Sequence, residues 1–200
     1  MISNNKLTSL LFVLILMVFT ACKTNINTNW MNPEHAIPKS KTHRFIFFTL
    51  SNNSINSRIA QDELVRLSSC PSMQSYLFLK GEPINEANRT LIQQKLLQNG
   101  YDYALILYLS DSTDSYETNT EKNFYTDYRL HIEPYMYNPV YAWHKNKFKI
   151  KAQVYFIADE KLVWSDTSTE YNADHLEHSV KEYLKLMINK LKQRGFMNDI

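Results

Sequence analysis

The sequence predicts an α/β domain with a mixed sheet. Its elements are predicted in the order βαβαβ, then a β-hairpin and a C-terminal helix, with the helices packed on the sheet. Two short apolar runs, residues 45–50 and 103–109, have the length and aromatic content of buried strands. Two stretches between them repeat apolar residues at helical spacing. Alternating apolar residues over 148–170 indicate the hairpin, and an amphipathic segment after them indicates the last helix.

The first strand is Phe45 to Leu50, a run bounded by polar residues. A helix is predicted to follow from about Ser57 to Ser69, and Pro71 ends it because the residue before a proline avoids helical geometry. Three residues mark its buried face: Ala60, Leu64 and Leu67. Residues 73–79 then predict a second, weaker strand.

A second helix is predicted over about residues 85–98, with Ile92 and Leu96 on its buried face. Asn99-Gly100 ends this helix because glycine adopts positive φ freely. The run 103–109 is apolar at every position, which places it in the middle of a sheet that is covered on both faces. This order of strands and helices implies right-handed crossovers and parallel pairing in part of the sheet.

Residues 110–123 are polar without periodicity and predict a loop. Strands are predicted over 148–158 and 161–170, with Asp159-Glu160 as the turn between them. The first of these strands alternates apolar residues with polar or smaller ones, as a half-buried strand does. On the second strand, the inward residues are predicted to be Leu162, Trp164 and Thr167.

The last helix is predicted from its ends and its apolar face. Asp174 and Glu177 form a candidate capping pair. Gly195 ends the helix, so that Phe196 can fold back on Leu191. The apolar face consists of Leu176, Val180, Leu184, Met187 and Leu191.

A secretory signal opens the chain. Lys6 precedes ten apolar residues, Leu10 to Phe19, and the small residues Thr20 and Ala21 follow them. The apolar segment is short for a membrane-spanning helix, which needs about 20 residues. Cys22 comes directly after the small pair.

Phe19-Thr20-Ala21-Cys22 resembles the lipobox of bacterial lipoproteins, although Phe19 stands where leucine is usual. The resemblance implies cleavage before Cys22, lipidation of its sulfur and acylation of the new amino terminus. We therefore expect a signal peptide over 1–21, a lipid anchor and flexible tether over 22–43, and a single α/β domain over 44–200. In this family an acidic residue after the cysteine favours the inner membrane, so Lys23 favours the outer membrane, facing the periplasm.

Composition excludes several classes of function. The 22 Lys and Arg residues nearly balance the 20 Asp and Glu residues, which gives no sign of the basic patch of a nucleic-acid-binding protein. The three glycines, Gly81, Gly100 and Gly195, lie far apart, so the glycine-rich loops that bind nucleotide phosphates are absent. The serine nucleophile motif Gly-x-Ser-x-Gly is absent as well. No cofactor is predicted.

With Cys22 lipidated, Cys70 is the only remaining thiol. An intramolecular disulfide and a cysteine-based zinc site are then excluded. We expect Cys70 to be buried, because a free cysteine behaves as a small apolar residue. Its alternative role is to link two copies of the chain.

Histidines and acids offer few signs of a site. His175 and His178 share a face at the start of the last helix, but the spacing is not that of a zinc protease, and no metal site is predicted. His131 lies alone near Glu133. The acids of the 110–123 loop lack calcium-binding spacing, and solvation accounts for them: Asp111, Asp114, Glu117 and Glu121.

Aromatic residues are concentrated between Phe124 and Trp143. Tyrosine and tryptophan provide large contact area together with a polar group, which suits a partner protein or the sugar rings of cell-wall glycan. The alternative is that this segment covers one face of the sheet. A free sheet edge beside the hairpin is a second place for a partner strand. The residues predicted to bind a partner are Tyr135, Tyr137, Tyr141 and Trp143.

The element order and the lipobox together are similar to small envelope lipoproteins with an α/β domain. Examples are the curli-secretion lipoprotein and the activators of penicillin-binding proteins. The chain also resembles uncharacterised lipoproteins in which a Leu-Val-Trp strand, here Leu162-Val163-Trp164, precedes a final helix. We expect a membrane-anchored lipoprotein with a non-enzymatic binding or scaffolding role. The alternatives are an envelope hydrolase with an unrecognised site and a structural spacer.

Overall fold

A computed structural model describes residues 27–39, 42–50, 54–83, 87–111, 147–169, 171–172 and 176–197. Seven strands and four helices lie within these ranges. The strands are β1 Asn27–Met31, β2 Phe45–Leu50, β3 Ser72–Gln74, β4 Tyr103–Asp111, β5 Lys147–Phe156, β6 Lys161–Thr167 and β7 Tyr171–Asn172. The helices are α1 Ser54–Leu67, α2 Ser75–Leu79, α3 Arg89–Gln98 and α4 Leu176–Gln193.

The strands form one mixed sheet in the order β1-β6-β5-β4-β2-β3, and β7 pairs with β5 outside this path. Strand β2 pairs in parallel with β3 on one side and with β4 on the other. Strands β5 and β6 form the predicted antiparallel hairpin, and β5 also pairs antiparallel with β4. The predicted mixed α/β fold, with helices packed on the sheet, is confirmed.

Both faces of β4 are buried, as its uniform apolarity predicts. Tyr103, Leu105 and Leu107 point to one face, which we call face A; it is covered by α1 and α4. Ala104, Ile106 and Tyr108 point to the opposite face B, where α2 and α3 pack. The fold therefore has three layers, in which a central sheet lies between two layers of helices, with one apolar core on each face of the sheet.

Glycine ends α3 and α4 in the same way. Gly195 has a φ of 87°, and the N–H of Phe196 donates to the Leu191 carbonyl at 2.9 Å. Gly100 has a φ of 74°, and the N–H of Tyr101 donates to the Leu96 carbonyl at 3.0 Å. These bonds satisfy carbonyls of the last helical turn, and the buried ring after each glycine packs back on the core. Both predicted helix ends are confirmed.

The predicted strand over 73–79 is wrong for most of its length. Strand β3 ends at Gln74, and the short helix α2 begins at Ser75. The Gln61 side chain on α1 explains the change, because its Oε1 accepts bonds from Ser75 Oγ at 3.1 Å and from the Tyr76 N–H at 3.4 Å. Leu77 is accordingly half exposed, whereas an alternating strand would have placed it with the inward residues.

The hairpin differs from its prediction on both strands. An extra residue, Val163, makes a bulge in β6. As a result Val163 and Trp164 both lie in the core on face A, whereas Leu162 lies in the core on face B. Beyond Trp164 the inward residue is Asp166 rather than Thr167. Strand β5 is buried on both faces, because even Lys151 is only 5% exposed.

Part of the flexible tether predicted over 22–43 is folded. Residues 27–31 form β1, which pairs antiparallel with β6 and covers the sheet edge beside the hairpin. Residues 32–39 then turn along the domain, and the Asn32 N–H donates to the Val163 carbonyl at 3.0 Å. We call residues 27–39 the N-terminal strap. Polar composition concealed it, because an edge strand needs few apolar residues of its own.

No helix in the ranges that the structure describes is long and apolar enough to cross a membrane.

Truncation tests whether the strap belongs to the fold. A chain starting at Thr42 should lose free energy of unfolding on the order of a few kcal/mol, because the edge of β6 and its apolar neighbours become exposed. A matched chain starting at Asn27 should keep the stability of a chain starting at Lys23. Urea unfolding of the three chains measures this. Equal midpoints would show that the strap contributes nothing.

Candidate functional site

The predicted lipidation and partner-binding residues lie outside the described ranges. These residues are Cys22, Tyr135, Tyr137, Tyr141 and Trp143. The strands that bound the aromatic segment are described, and Asp111 at the end of β4 pairs with Phe148 near the start of β5. The end of β4 and the start of β5 therefore lie side by side at one end of the sheet. The assignments themselves stay predictions.

The candidate histidines are only partly described. His131, His175 and the capping residue Asp174 lie outside the described ranges, whereas His178 is exposed on the first turn of α4. Within the described part of the chain, His178 makes no hydrogen bond to a serine or to a carboxylate. In the same part, no three His, Cys, Asp or Glu residues are placed to hold a metal ion. The convergence that a hydrolase would need is therefore not formed around His178.

Cys70 is a free and buried thiol, as predicted. Its Sγ lies 3.3 Å from Ser68 Oγ, and burial raises the pKa of the thiol. A thiol with a raised pKa is a poor nucleophile at neutral pH because the reactive form is the thiolate. Cys70 therefore serves packing between α1 and the sheet.

The structure gathers an unpredicted polar cluster around His35 of the strap. Its Nε2 lies 2.9 Å from the hydroxyl of Tyr103, a residue with no exposed surface at the start of β4. Its ring also packs against Phe156 at 5.0 Å and stacks on Phe196 at 6.4 Å. The strap is thus held to β4, β5 and the end of α4 through one imidazole.

Burial sets the protonation of both partners in this contact. It lowers the pKa of His35, although nearby Asp159 acts in the opposite direction. Burial also raises the pKa of Tyr103 far above its ordinary value. At neutral pH the contact therefore joins a neutral imidazole to a neutral phenol.

Beside this contact, the starts of β2 and β4 are tied together by Arg44 and Asp102. Asp102 Oδ2 accepts a bond from the Arg44 N–H at 3.0 Å and lies 3.8 Å from His43 Nδ1. The Arg44 guanidinium donates to the Asn99 carbonyl at 2.7 Å and lies 4.9 Å from the centre of the Tyr101 ring. These contacts fix the end of α3 against the first residues of β2.

A second buried polar cluster lies on face A, where β6 meets α4. Asp166 is 1% exposed, and its Oδ2 lies 3.4 Å from Lys190 Nζ on α4. The fully buried Tyr183, also on α4, donates its hydroxyl to the Asp166 carbonyl at 3.4 Å. Burial raises the pKa of the Asp166 carboxyl to about 6, although Lys190 acts against the change.

Neither cluster is arranged for catalysis on an outside substrate. The His35 imidazole bonds a phenol inside the core, and the Asp166 carboxylate is covered by α4. A general base has to reach a proton on its substrate, and these groups already contact residues of the same chain. Their arrangement supports cohesion between the strap, the sheet and α4.

The two clusters differ in whether the sequence could have revealed them. His35 sits in a polar, proline-bounded stretch with no periodicity, so nothing there indicated burial. Asp166 follows Trp164 at the two-residue spacing of a strand, and that spacing placed a carboxylate on the inward face. The alternation of β6 was therefore a usable signal for Asp166.

Comparisons with known proteins give no family for this chain. No family model matches it. No curated protein matches it either. Among solved structures, a single-substitution variant of the PelC dodecamer from Paraburkholderia phytofirmans matches with a TM-score of 0.41 and 7% identity, covering 80% of this chain and 95% of that one. The PelC dodecamer from the same organism matches with a TM-score of 0.39 and 9% identity, covering 80% and 92%.

Removing the Asp166 carboxylate should flatten the pH dependence of stability. Because the folded pKa is raised from 3.8 to about 6, the native state binds more protons than the unfolded state in that window. The free energy of unfolding should therefore fall as pH rises through it, by at most about 3 kcal/mol. The free energy of unfolding of the Asp166→Asn variant should fall less over the same pH interval. Urea unfolding between pH 4 and 7 measures the difference, with the exposed Glu177→Gln as control. Parallel profiles of wild type and Asp166→Asn would contradict this.

His35 should act in the opposite direction. Its folded pKa is lowered, so the unfolded state binds the proton more readily, and stability should be lost as pH falls from above 6.5. His35→Gln should lose less stability over this interval than the wild type does. Thermal unfolding at pH 8, 7, 6 and 5 checks the effect, with His178→Gln, an exposed histidine, as the matched control. The prediction fails if both variants follow the wild type.

Proposed function

We propose that this chain is a lipid-anchored protein of the bacterial cell envelope with a non-enzymatic binding or scaffolding role. The observation that carries the proposal is the leader sequence, in which Lys6, ten apolar residues and Thr20-Ala21 precede Cys22. Lys23 after the cysteine favours the outer membrane, facing the periplasm. Its partners are the membrane, through the lipid, and an envelope protein or cell-wall glycan.

Lipidation at one cysteine is enough to hold the protein on a membrane. Each buried methylene contributes about 0.8 kcal/mol, and a single acyl chain gives only marginal binding. Two or three chains on Cys22 make attachment effectively permanent. The protein then requires neither a spanning helix nor a basic surface to stay on its membrane.

The position of β1 supports a mechanical connection between anchor and domain. Strand β1 begins at Asn27, so only residues 23–26 separate it from Cys22. The strap then continues along the domain to His35, which packs among the rings of Tyr103, Phe156 and Phe196. A displacement of the lipid would therefore act on β1 and, through the pairing of β1 with β6, on the sheet.

The non-enzymatic part of the proposal is supported by how the described ionisable groups are used. Asp166 with Lys190 and Asp102 with Arg44 each join two elements of the fold. We assign the contact role to the aromatic residues between Phe124 and Trp143, which lie outside the described ranges. Tyr and Trp are the residue types that most often dominate binding energy at interfaces.

Substitution of Cys22 tests the anchor. Cys22→Ser should abolish incorporation of labelled palmitate and release the protein from membranes, because the lipid on the Cys22 sulfur is the proposed anchor. Cys70→Ser is the matched control, since it removes a thiol and leaves the lipobox intact. Metabolic labelling and a sucrose-gradient separation of inner and outer membranes in a Gram-negative host give both readouts. A wild-type chain that takes up no palmitate would end the proposal.

Alanine substitutions test the contact residues. The combined variant Tyr135→Ala, Tyr137→Ala, Tyr141→Ala and Trp143→Ala should lose at least tenfold in the yield of crosslinked partners from whole envelopes. Ile59→Ala with Leu77→Ala is the control, because both are exposed apolar residues on described helices. Quantitative mass spectrometry of the crosslinked material measures the yield. An unchanged set of partners would show that these four residues are not the contact surface.

A further inference from the structure

The two ends of the sheet lie at very different distances from the proposed anchor. Strand β1 starts at Asn27, opposite Thr167 at the end of β6, and this end of the sheet is called the anchor end. Strand β5 also begins here, because Thr167 pairs with Lys151 in its first half. The opposite end of the sheet, which we call the far end, holds His35 with Tyr103. Tyr103 pairs there with Phe156 at the end of β5.

Helix α4 runs the length of the sheet between these ends. It begins just after β7, whose Tyr171 and Asn172 pair with the first residues of β5 at the anchor end. It ends where Phe196 packs on Tyr103 with ring centres 5.2 Å apart. Its 18 residues correspond to roughly 27 Å at 1.5 Å per residue.

The connection from the lipid to the sheet is shorter than this helix. Five peptide units separate Cys22 from Asn27, and a fully extended chain spans at most about 3.6 Å per residue, or roughly 18 Å in total. From Asn27, β1 runs into the sheet, towards the far end. The chain therefore reaches the lipid from the anchor end, and the far end can touch the bilayer only if the domain lies on its side.

We propose that the domain stands on its anchor end, which faces the lipid headgroups, and that the end carrying His35 and Asp102 points away from the membrane. The start of α4 then lies at the bilayer surface, and Gly195 lies at the far end. This orientation rests on the proposed function, because it requires lipid at Cys22. The partner of the anchor end is a lipid surface.

Site-directed fluorescence tests the orientation in the lipidated protein. In a Cys70→Ser background with Cys22 kept, single variants Glu177→Cys and Arg194→Cys place a bimane label at the two ends of α4. Lys161→Cys gives a second label at the far end, on β6. All three positions are exposed. The proteins are reconstituted in vesicles of phosphatidylethanolamine and phosphatidylglycerol that contain a lipid with a spin-labelled headgroup.

Quenching should be several-fold stronger at position 177 than at 194 or 161. Equal quenching at 177 and 194 would mean that the domain lies flat, and stronger quenching at 194 would mean that it is inverted; either result overturns the orientation. A variant with twelve Gly and Ser residues inserted after Lys23 should lose most of the difference, because the longer link no longer restrains the domain. A difference unaffected by the insertion would show that the short connection is not its cause.

Failure of the anchor and failure of the orientation give different results. Vesicle flotation and palmitate content are measured on the same samples before quenching. Protein that carries no palmitate and does not float contradicts the proposed function. Protein that carries palmitate and floats, but is quenched equally at both ends of α4, contradicts the orientation alone.

Discussion

Strand β4 must be covered on both faces, and the rest of the fold follows from that requirement. Its side chains enter two separate cores, with Leu105 on face A and Ile106 on face B. A strand that is apolar on both sides is stable only between two layers. The chain provides them by placing α1 and α4 on one face and α2 and α3 on the other.

Several polar side chains are buried where these layers meet, and they join elements that are distant in sequence. Gln61 on α1 sets the start of α2, Asp166 on β6 meets Lys190 on α4, and His35 on the strap meets Tyr103 on β4. Buried polar groups are costly unless they find partners, so these contacts also specify the geometry. Burial raises the pKa of Asp166 and lowers the pKa of His35. The contribution of Asp166 to stability should therefore fall as pH rises, and that of His35 should fall as pH falls.

The strap joins this architecture to the proposed role. Because β1 covers the edge of β6, the sheet edge that the sequence offered to a partner strand is occupied by the chain itself. A partner strand therefore cannot pair with that side of β6. The proposed orientation leaves the far end of the sheet facing the periplasm. In this proposal the lipid on Cys22, residues 23–26 and the strap connect the bilayer to the sheet.

The sequence alone determined the elements whose signals are local: the apolar runs of β2 and β4, the β5–β6 hairpin, the glycine ends of α3 and α4, and the burial of Cys70. Tertiary structure decided what local patterns do not contain. Polar residues 27–39 became a strap because β6 had an open edge, 75–79 became a helix because Gln61 reached it, and Val163 shifted the face of Trp164 through a bulge. The physical reason is the same in each case, since periodicity reports which side of an element is apolar, whereas an edge strand, a side-chain bond or a bulge depends on a neighbour supplied by a distant part of the chain.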